Sequence, residues 1–340
     1  MFDKIEQAHL SELHFKSDES SQLKSIIAIH NTKLGPALGG CRCIEYDNDD
    51  AAVDDVIRLA KGMSYKAALA GVPQGGGKAV IMKPKHLSDR VALYQAFGRF
   101  VNELGGRYIT AVDSGTNLDD MDQVSKVTPH VSGNNQDGLD PSPMTALGVF
   151  AGIKAAVQHR FRKQDLQGIH VAIQGIGNVG RELARLLFES GAKLTLADID
   201  SQKLEICQRQ FNARTVQPEE IYGVPCDVFA PCGLGSVLND ATLAQLNCSI
   251  IAGSANNQLA ATHHGDWLHQ NEILYAPDYV INAGGLIKVS LGNMGVTEDV
   301  ILSKTWDIHQ TLLDIFERSQ LDNTPTHVIA DLMAEEILYH

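Results

Sequence analysis

Two lysines and an aspartate stand among small residues in the first third of the chain. Lys66 and Lys78 lie in GMSYKAALAGVPQGGGKAVI (62–81), and Asp113 lies in YITAVDSGTN (108–117). A lone lysine is ordinarily a solvated surface charge, but AALAGVPQGGGKAVIM is a poor surface context for one. Desolvation and a second nearby cation both favour the neutral amine, which makes Lys78 a candidate base. Lys66 is the natural second cation, and it can also pair with a substrate carboxylate. Asp113, at the end of an apolar run, reads either as a cap or turn residue or as a proton carrier. Gly75, Gly76 and Gly77 read as clearing room for a ligand beside Lys78. GGGK is not a phosphate loop, because G-x-x-x-x-G-K-[ST] needs glycine where Val72 stands and a hydroxyl where Ala79 stands.

A second constellation lies downstream. Gly175-Ile176-Gly177-Asn178-Val179-Gly180 follows a strand-like run and opens a helical one, the context in which G-x-G-x-x-G binds a dinucleotide. Its glycines allow a tight turn and close approach of a pyrophosphate, which the helix N-terminus attracts. Asp198, eighteen residues after Gly180 at the end of the next strand, is placed for the ribose hydroxyls. Asp198 and Asp200 would repel a 2′-phosphate, and no cation follows until Lys203, so NAD is expected rather than NADP. Further on, AGSANNQL (252–259) and NAGGLI (282–287) each follow a strand-like run. Asn256 and Asn257 read equally as partners for a carboxamide and as turn-formers.

The elements that must position these groups follow from periodicity. DDAAVDDVIRLAKGM carries Val53, Val56, Ile57, Leu59, Ala60 and Met63 at helical spacing, with Asp49 and Asp50 at its N-terminus. SIIAIH, KAVIMK and RYITAV are apolar runs. After residue 170, HVAIQGIG, KLTLADID, CDVFAP, SIIAGS and ILYAPDYVIN read as buried strands alternating with helices, which points to a doubly wound parallel sheet. Residues 297–338 read as mostly helical. The loop SGNNQDGLDPSP (132–143) is the best boundary. The expected organisation is α/β in two domains: an N-terminal α/β domain (1–135), a Rossmann-type domain (136–285), and C-terminal helices (286–340) packing back.

The chain has 340 residues, a formal net charge of −13, 44% hydrophobic and 20% charged residues. This balance argues against nucleic acid as a partner, and no run approaches a membrane span. MFDKIEQAHLSELHF lacks the features of a signal peptide. Six scattered cysteines, including Cys41-x-Cys43 without a matching cluster, predict reduced thiols, no metal and a cytoplasmic setting.

Seven segments, in order over almost the whole chain, resemble the amino-acid dehydrogenase family of leucine, valine and phenylalanine dehydrogenases and, more distantly, glutamate dehydrogenase. They are LGPALGGCR (34–42), RLAKGMSYKAALAGVPQGGGKAVI (58–81), GRYITAVDSGT (106–116), QGIGNVG (174–180), CDVFAPCGLGSVLND (226–240), IAGSANNQL (251–259) and YAPDYVINAGG (275–285). The leucine dehydrogenase pattern looks nearest. The resemblance implies that an L-amino acid, NAD⁺ and water give a 2-oxo acid, ammonia and NADH. By that analogy Lys66 holds the α-carboxylate, helped by backbone N–H near Gly39 and Gly40. Lys78 activates the water that attacks the iminium, and Asp113 shuttles a proton to and from the substrate nitrogen. Leu38, Met63, Ala111, Ser132, Leu286 and Val289 match the side-chain pocket, while Thr145, Ala252, Asn256, Asn257 and Asn282 join the cofactor site. Leu38 replaces the lysine of the glutamate-specific relatives, so an apolar substrate is expected.

Departures bear on which substrate. TAVDSGT replaces the usual TAEDVGT, Ser132 stands where threonine is common, and LIKVSLGNMG follows NAGG. Leucine, valine, isoleucine, phenylalanine and tryptophan are not separated by these residues. The chain ends at His340 without the tail of some octameric members, so a homo-oligomer, a dimer rather than an octamer, is expected. Domain closure over a cleft, hinged near 132–145 and 281–290, is also expected. A non-catalytic NAD-binding protein is the competing class, disfavoured because a pure binder needs no pair of lysines beside a carboxylate. A 2-hydroxy-acid dehydrogenase lacks a histidine or arginine in a comparable context.

Overall fold

The computed structural model describes all residues except 134 and 136–139, so part of the boundary loop expected at 132–143 lies outside the described residues. The chain forms two units: residues 1–140, 289–295 and 334–340, and residues 141–288 and 296–333. The C-terminal stretch is thus shared out, residues 296–333 belonging to the second unit, and does not form one segment from 286 to 340. Among the described residues no helix is long and apolar enough to cross a membrane.

The first unit holds α1 (Phe2–Gln7), β1 (Glu12–Asp18), β2 (Leu23–Asn31), β3 (Ala37–Ile44), α2 (Asp49–Ala70), β4 (Gly75–Met82), α3 (Arg90–Glu103), β5 (Tyr108–Val112) and α4 (Leu118–Ser125). The sheet runs β1-β2-β4-β3-β5, antiparallel for the first two pairings and parallel for the last two. The expected helix is α2. Asn48 caps it, its side chain accepting from Ala51 N–H, and Asp49 and Asp50 occupy the first turn, where negative charge complements the helix dipole.

Strand alternation decides which side chains meet α2. Leu38 pairs with Gly76 and Ile109, and Gly40 pairs with Ala111. Leu38, Gly40, Arg42, Gly76, Lys78, Ile109 and Ala111 therefore share one face, with Asp113 just past the end of β5. Ala28 and Val80 pack there against Ala52, Val53, Val56, Ile57 and Ala60 of α2. On the opposite face Cys41, Ala79 and Ile81 join Leu93, Phe97, Met121 and Val124 of α3 and α4.

The second unit begins with α5 (Ser142–Phe161). Then come β6 (His170–Gln174), α6 (Asn178–Glu189), β7 (Lys193–Ala197), α7 (Ser201–Phe211), β8 (Arg214–Thr215), β9 (Val228–Pro231), α8 (Asp240–Leu243), β10 (Ile250–Ile251), α9 (Thr262–Gln270), β11 (Leu274–Tyr275) and α10 (Asp278–Ile281). The helices α11 (Gly284–Asn293), α12 (Glu298–Asp322) and α13 (Thr326–Tyr339) complete the chain. Six parallel strands lie in the order β11-β10-β9-β6-β7-β8. This is the doubly wound 3-2-1-4-5-6 arrangement, whose strand order reverses between β6 and β9. Two expected strands are cut short, SIIAGS pairing only at Ile250–Ile251. ILYAPDYVIN pairs only at Leu274–Tyr275, after which Pro277 precedes α10 and the Asp278 carboxylate accepts Gln258 N–H at 2.7 Å. Proline lacks the ladder N–H, so pairing stops there.

Candidate active site

Lys78 lies within β4, 7% exposed, and its Nζ is 2.5 Å from Asp113 Oδ2. Asp113 also faces Arg42, whose Nε is 3.6 Å from the same oxygen. Burial raises the pKa of Asp113, but the Lys78 ammonium, Ser114 N–H and Arg42 outweigh it, and the carboxyl ends below its ordinary range. The sequence placed both a second lysine, Lys66, and this carboxylate with Lys78, and the structure seats the carboxylate directly against the amine. Gly40 makes this possible, since a Cβ there would lie 2.8 Å from Asp113 Cβ and 2.6 Å from Val112 O.

The glycine run does not clear space for a ligand. A Cβ on Gly76 would stand 2.0 Å from Ser64 N and 2.4 Å from Ser64 Cα, so the gap is filled by α2. A Cβ on Gly75 would strike Asn31 O at 2.1 Å, and one on Gly77 would strike Tyr108 Cδ2 at 2.9 Å. Likewise, Gly39 lies against the Gly77 carbonyl, and Tyr108 Oη donates to Gly39 O at 2.6 Å. The glycines let helix and strands close on each other. They draw down the stretch of α2 that carries Met63 and Lys66, which are half-buried and one turn apart.

Of the other pocket candidates in this unit, Leu38 is buried, while Ala111 and Val289 are half-buried. Ser132 is placed beside Ala111 because its N–H donates to Thr110 O at 2.8 Å. It is 0% exposed, and Asn293 Nδ2 donates to its hydroxyl at 2.8 Å. Leu286 lies on α11 in the second unit, half-buried.

In the second unit, Gly175 turns with φ +93° directly after β6, and a Cβ on it would meet Gly233 N and Cα at 2.8 Å. A Cβ on Gly180 would lie 2.0 Å from Gly175 O, so α6 closes tightly on the turn. Gly177 is different: nothing stands within 4 Å of a Cβ placed there. No side chain caps α6 at Gly177, and Asn178 is exposed with Val179 half-buried. The first N–H groups of α6 therefore face an open cradle, which fits a pyrophosphate. Asp198 Oδ2 accepts Ile176 N–H at 2.5 Å and Oδ1 accepts Asp200 N–H at 2.8 Å, so the carboxylate is fixed to the turn. Lys203 is taken up by Asp200 at 3.2 Å.

Asn282 Nδ2 donates to Asn256 Oδ1 at 2.8 Å and to Ser254 O at 3.1 Å. Asn257 takes the left-handed conformation with φ +50°. Ala252 is fully buried, and Thr145 donates to Pro141 O at 2.9 Å while its hydroxyl lies against Gly285.

The family model of the Glu/Leu/Phe/Val dehydrogenase dimerisation domain matches residues 6–130, and the Glutamate/Leucine/Phenylalanine/Valine dehydrogenase model matches 139–202 and 194–318. The chain belongs to the Glu/Leu/Phe/Val dehydrogenase family. A leucine dehydrogenase of Bacillus subtilis is 45% identical over 339 residues, covering 99% of this chain and 93% of its own. An L-tryptophan dehydrogenase of Nostoc punctiforme is 44% identical over 338 residues, covering 99% and 95%. The crystal structure of that N. punctiforme enzyme superposes with TM-score 0.90 at 43% identity, over 99% of this chain and 98% of its own. The protein is an amino-acid dehydrogenase, an oxidoreductase acting on CH–NH2 and dependent on a pyridine nucleotide.

Sequence reasoning missed part of this dehydrogenase's cluster. Arg42 Nη1 donates to Asp55 Oδ2 at 2.9 Å, Tyr46 Oη donates to the same oxygen at 2.8 Å, and Arg58 pairs with Asp55 Oδ1 at 2.7 Å. The only sequence signal was Arg42 at the end of LGPALGGCR. Among the described residues one other cluster, Asp240, His263 and His264, brings three potential metal ligands within 4.8 Å of one another. His264 Nδ1 accepts Ala261 N–H at 3.0 Å, which leaves its proton on Nε2 facing Asp240 Oδ1 at 3.0 Å. That tautomer caps α9 and leaves Nε2 no lone pair for a metal.

Proposed function

We propose that the protein catalyses NAD-dependent, reversible oxidative deamination of an apolar L-amino acid of leucine or valine type, giving the 2-oxo acid and ammonia. The buried Lys78–Asp113 pair carries this reading. Two charges taken out of water cost several kcal/mol each unless well paired, and this pair lies on the face that bears Leu38 and Ala111. Lys66 holds the substrate carboxylate, with backbone N–H at Gly39 and Gly40. The bound nicotinamide supplies the hydride acceptor. Lys78, once it has passed its ammonium proton to Asp113 in contact at 2.5 Å, takes as the neutral amine a proton from the water that attacks the iminium carbon, and Asp113 shuttles the proton it received to and from the substrate nitrogen.

The carboxylate of Asp198, with Lys203 paired to Asp200, supports NAD over NADP, and the open cradle at Gly177 fits the pyrophosphate that both share. Thr145, Ala252, Asn256, Asn257 and Asn282 complete the cofactor site. Leu38 and Ala111, with Met63, Ser132 and Val289, supply the apolar side-chain pocket, and Leu286 is assigned to substrate binding by the family pattern. An aromatic substrate is the second reading, favoured by the likeness to the N. punctiforme L-tryptophan dehydrogenase. One methylene in an apolar pocket changes discrimination by only about 1–3 kcal/mol.

The protein is further read as a cytoplasmic homo-oligomer, a dimer. The description of residues 6–130 as a dimerisation domain and the six free cysteines support this. Light scattering that returns an octamer would exclude the dimer.

Purified protein given NAD⁺ and a panel of apolar L-amino acids should form NADH. Lys78→Ala should lose turnover while still binding NAD. Tight NAD binding with no turnover on any amino acid would establish a non-catalytic binder instead.

A further inference from the structure

The Arg42 guanidinium is committed to the protein's own carboxylates. Its side chain is 16% exposed, Nη1 is bonded to Asp55 at 2.9 Å, and Nε faces Asp113 Oδ2 at 3.6 Å. Buried Arg42 Nε has no hydrogen-bond acceptor among the described residues. Asp55, 16% exposed, is itself fixed from three directions, by Arg42, by Tyr46 Oη and by Arg58. A chain of alternating charge thus runs Lys78–Asp113–Arg42–Asp55–Arg58, from β4 past the end of β5 to β3 and α2.

Arg42 is badly placed to bind a substrate anion, because two carboxylates already share its fork. It is well placed to restrain one. Asp113 follows β5 in a turn, where Thr116 Oγ1 accepts its N–H at 2.9 Å and Gly40 leaves room beneath it. Only Lys78 and Arg42 form ion pairs with its carboxylate among the described residues. When Lys78 engages water or substrate, the second cation is what keeps Asp113 oriented. The planar guanidinium can face two carboxylates at once, which a lysine ammonium on a flexible stem does poorly.

The geometry points to Arg42 as a positioning residue for Asp113, anchored by Asp55 on α2 so that the carboxylate stays aligned for proton transfer. This rests on the proton-shuttle reading of Asp113 given above.

The test is steady-state kinetics of wild type, Arg42→Gln, Arg42→Lys and Asp55→Asn in H2O and D2O, with amino acid and NAD⁺ varied. Wild-type turnover is the prerequisite, and its absence overturns the catalytic reading itself. With wild type active, Arg42→Gln should lower kcat by about tenfold or more, short of the roughly 10²–10⁴-fold of a full acid–base contribution because Asp113 itself remains. It should leave both KM values within about threefold and enlarge the solvent isotope effect on kcat as proton transfer becomes limiting. Arg42→Lys should recover part of kcat, and Asp55→Asn should show the same signature more weakly. If Arg42→Gln does not fold, Asp55→Asn alone carries the comparison. A kcat near wild type, or a fall without a larger isotope effect, overturns the proposal and leaves only a structural role.

Discussion

Lys78 Nζ and Asp113 Oδ2 stand 2.5 Å apart on side chains only 9% and 20% exposed. Each therefore depends on the other for the solvation it has lost. Lys78→Met should destabilise the first unit by about 3 kcal/mol, the low end of the cost of breaking a buried pair, because Arg42 remains beside Asp113. The Lys78→Met/Asp113→Asn double variant should recover part of that loss. Urea midpoints at unchanged slope measure the coupling; strictly additive losses would show that the two charges act independently.

Gly76 and Gly62 predict opposite outcomes for the same substitution. Gly76→Ala drives a Cβ into the Ser64 backbone, so α2 must move, at roughly 1–3 kcal/mol or more. Lys66 moves with it, and turnover should fall. Gly62→Ala, in the interior of α2 with nothing within 4 Å, should stabilise by about 0.5–1 kcal/mol. Thermal unfolding of both variants decides; a neutral Gly76→Ala would mean that α2 does not rest on β4.

These glycines also show what the sequence could and could not reveal. A triple glycine announces missing side chains but not which atoms fill the gap, and it was Ser64, twelve residues earlier, that did so. The nucleotide half was more legible, because G-x-G-x-x-G and its aspartate lie within one β-α-β unit and carry their geometry locally. Arg42 and Asp55 were invisible by the same logic. Their partnership exists only because β3 and α2 pack, and neither residue type at its position is unusual. The short helix at Asp278–Ile281 was misread because an apolar run has no period that separates a buried strand from a buried turn of helix.

His30 sets an acid limit on stability. It is fully buried. Its Nε2–H donates to Ala8 O at 3.1 Å, and Nδ1 accepts from Ser64 Oγ at 2.8 Å. Burial, with Lys61 and His9 nearby, pushes its pKa from 6.5 to about 4. The folded state thus holds His30 neutral while the unfolded chain takes a proton below 6.5. The unfolded state binds more protons as pH falls from 6.5 towards 4, and roughly 3 kcal/mol should be lost across that window. His30→Gln should flatten the curve there. Parallel stability–pH curves for variant and wild type would reject this.

Asp198 joins two properties that one residue can separate. Its carboxylate fixes the turn through Ile176 N–H and Asp200 N–H, and its charge opposes a 2′-phosphate. Asp198→Asn retains an acceptor for the turn but removes the charge, so the ratio of kcat/KM for NADP to that for NAD should rise by about tenfold or more, since placing like charges together costs several kcal/mol. Asp198→Ala removes both, and the loss of charged hydrogen bonds worth about 1.5–3 kcal/mol each should weaken binding of either nucleotide as well. Kinetics with both nucleotides distinguish the two effects. If Asp198→Asn leaves the ratio unchanged, the charge of Asp198 does not select the cofactor.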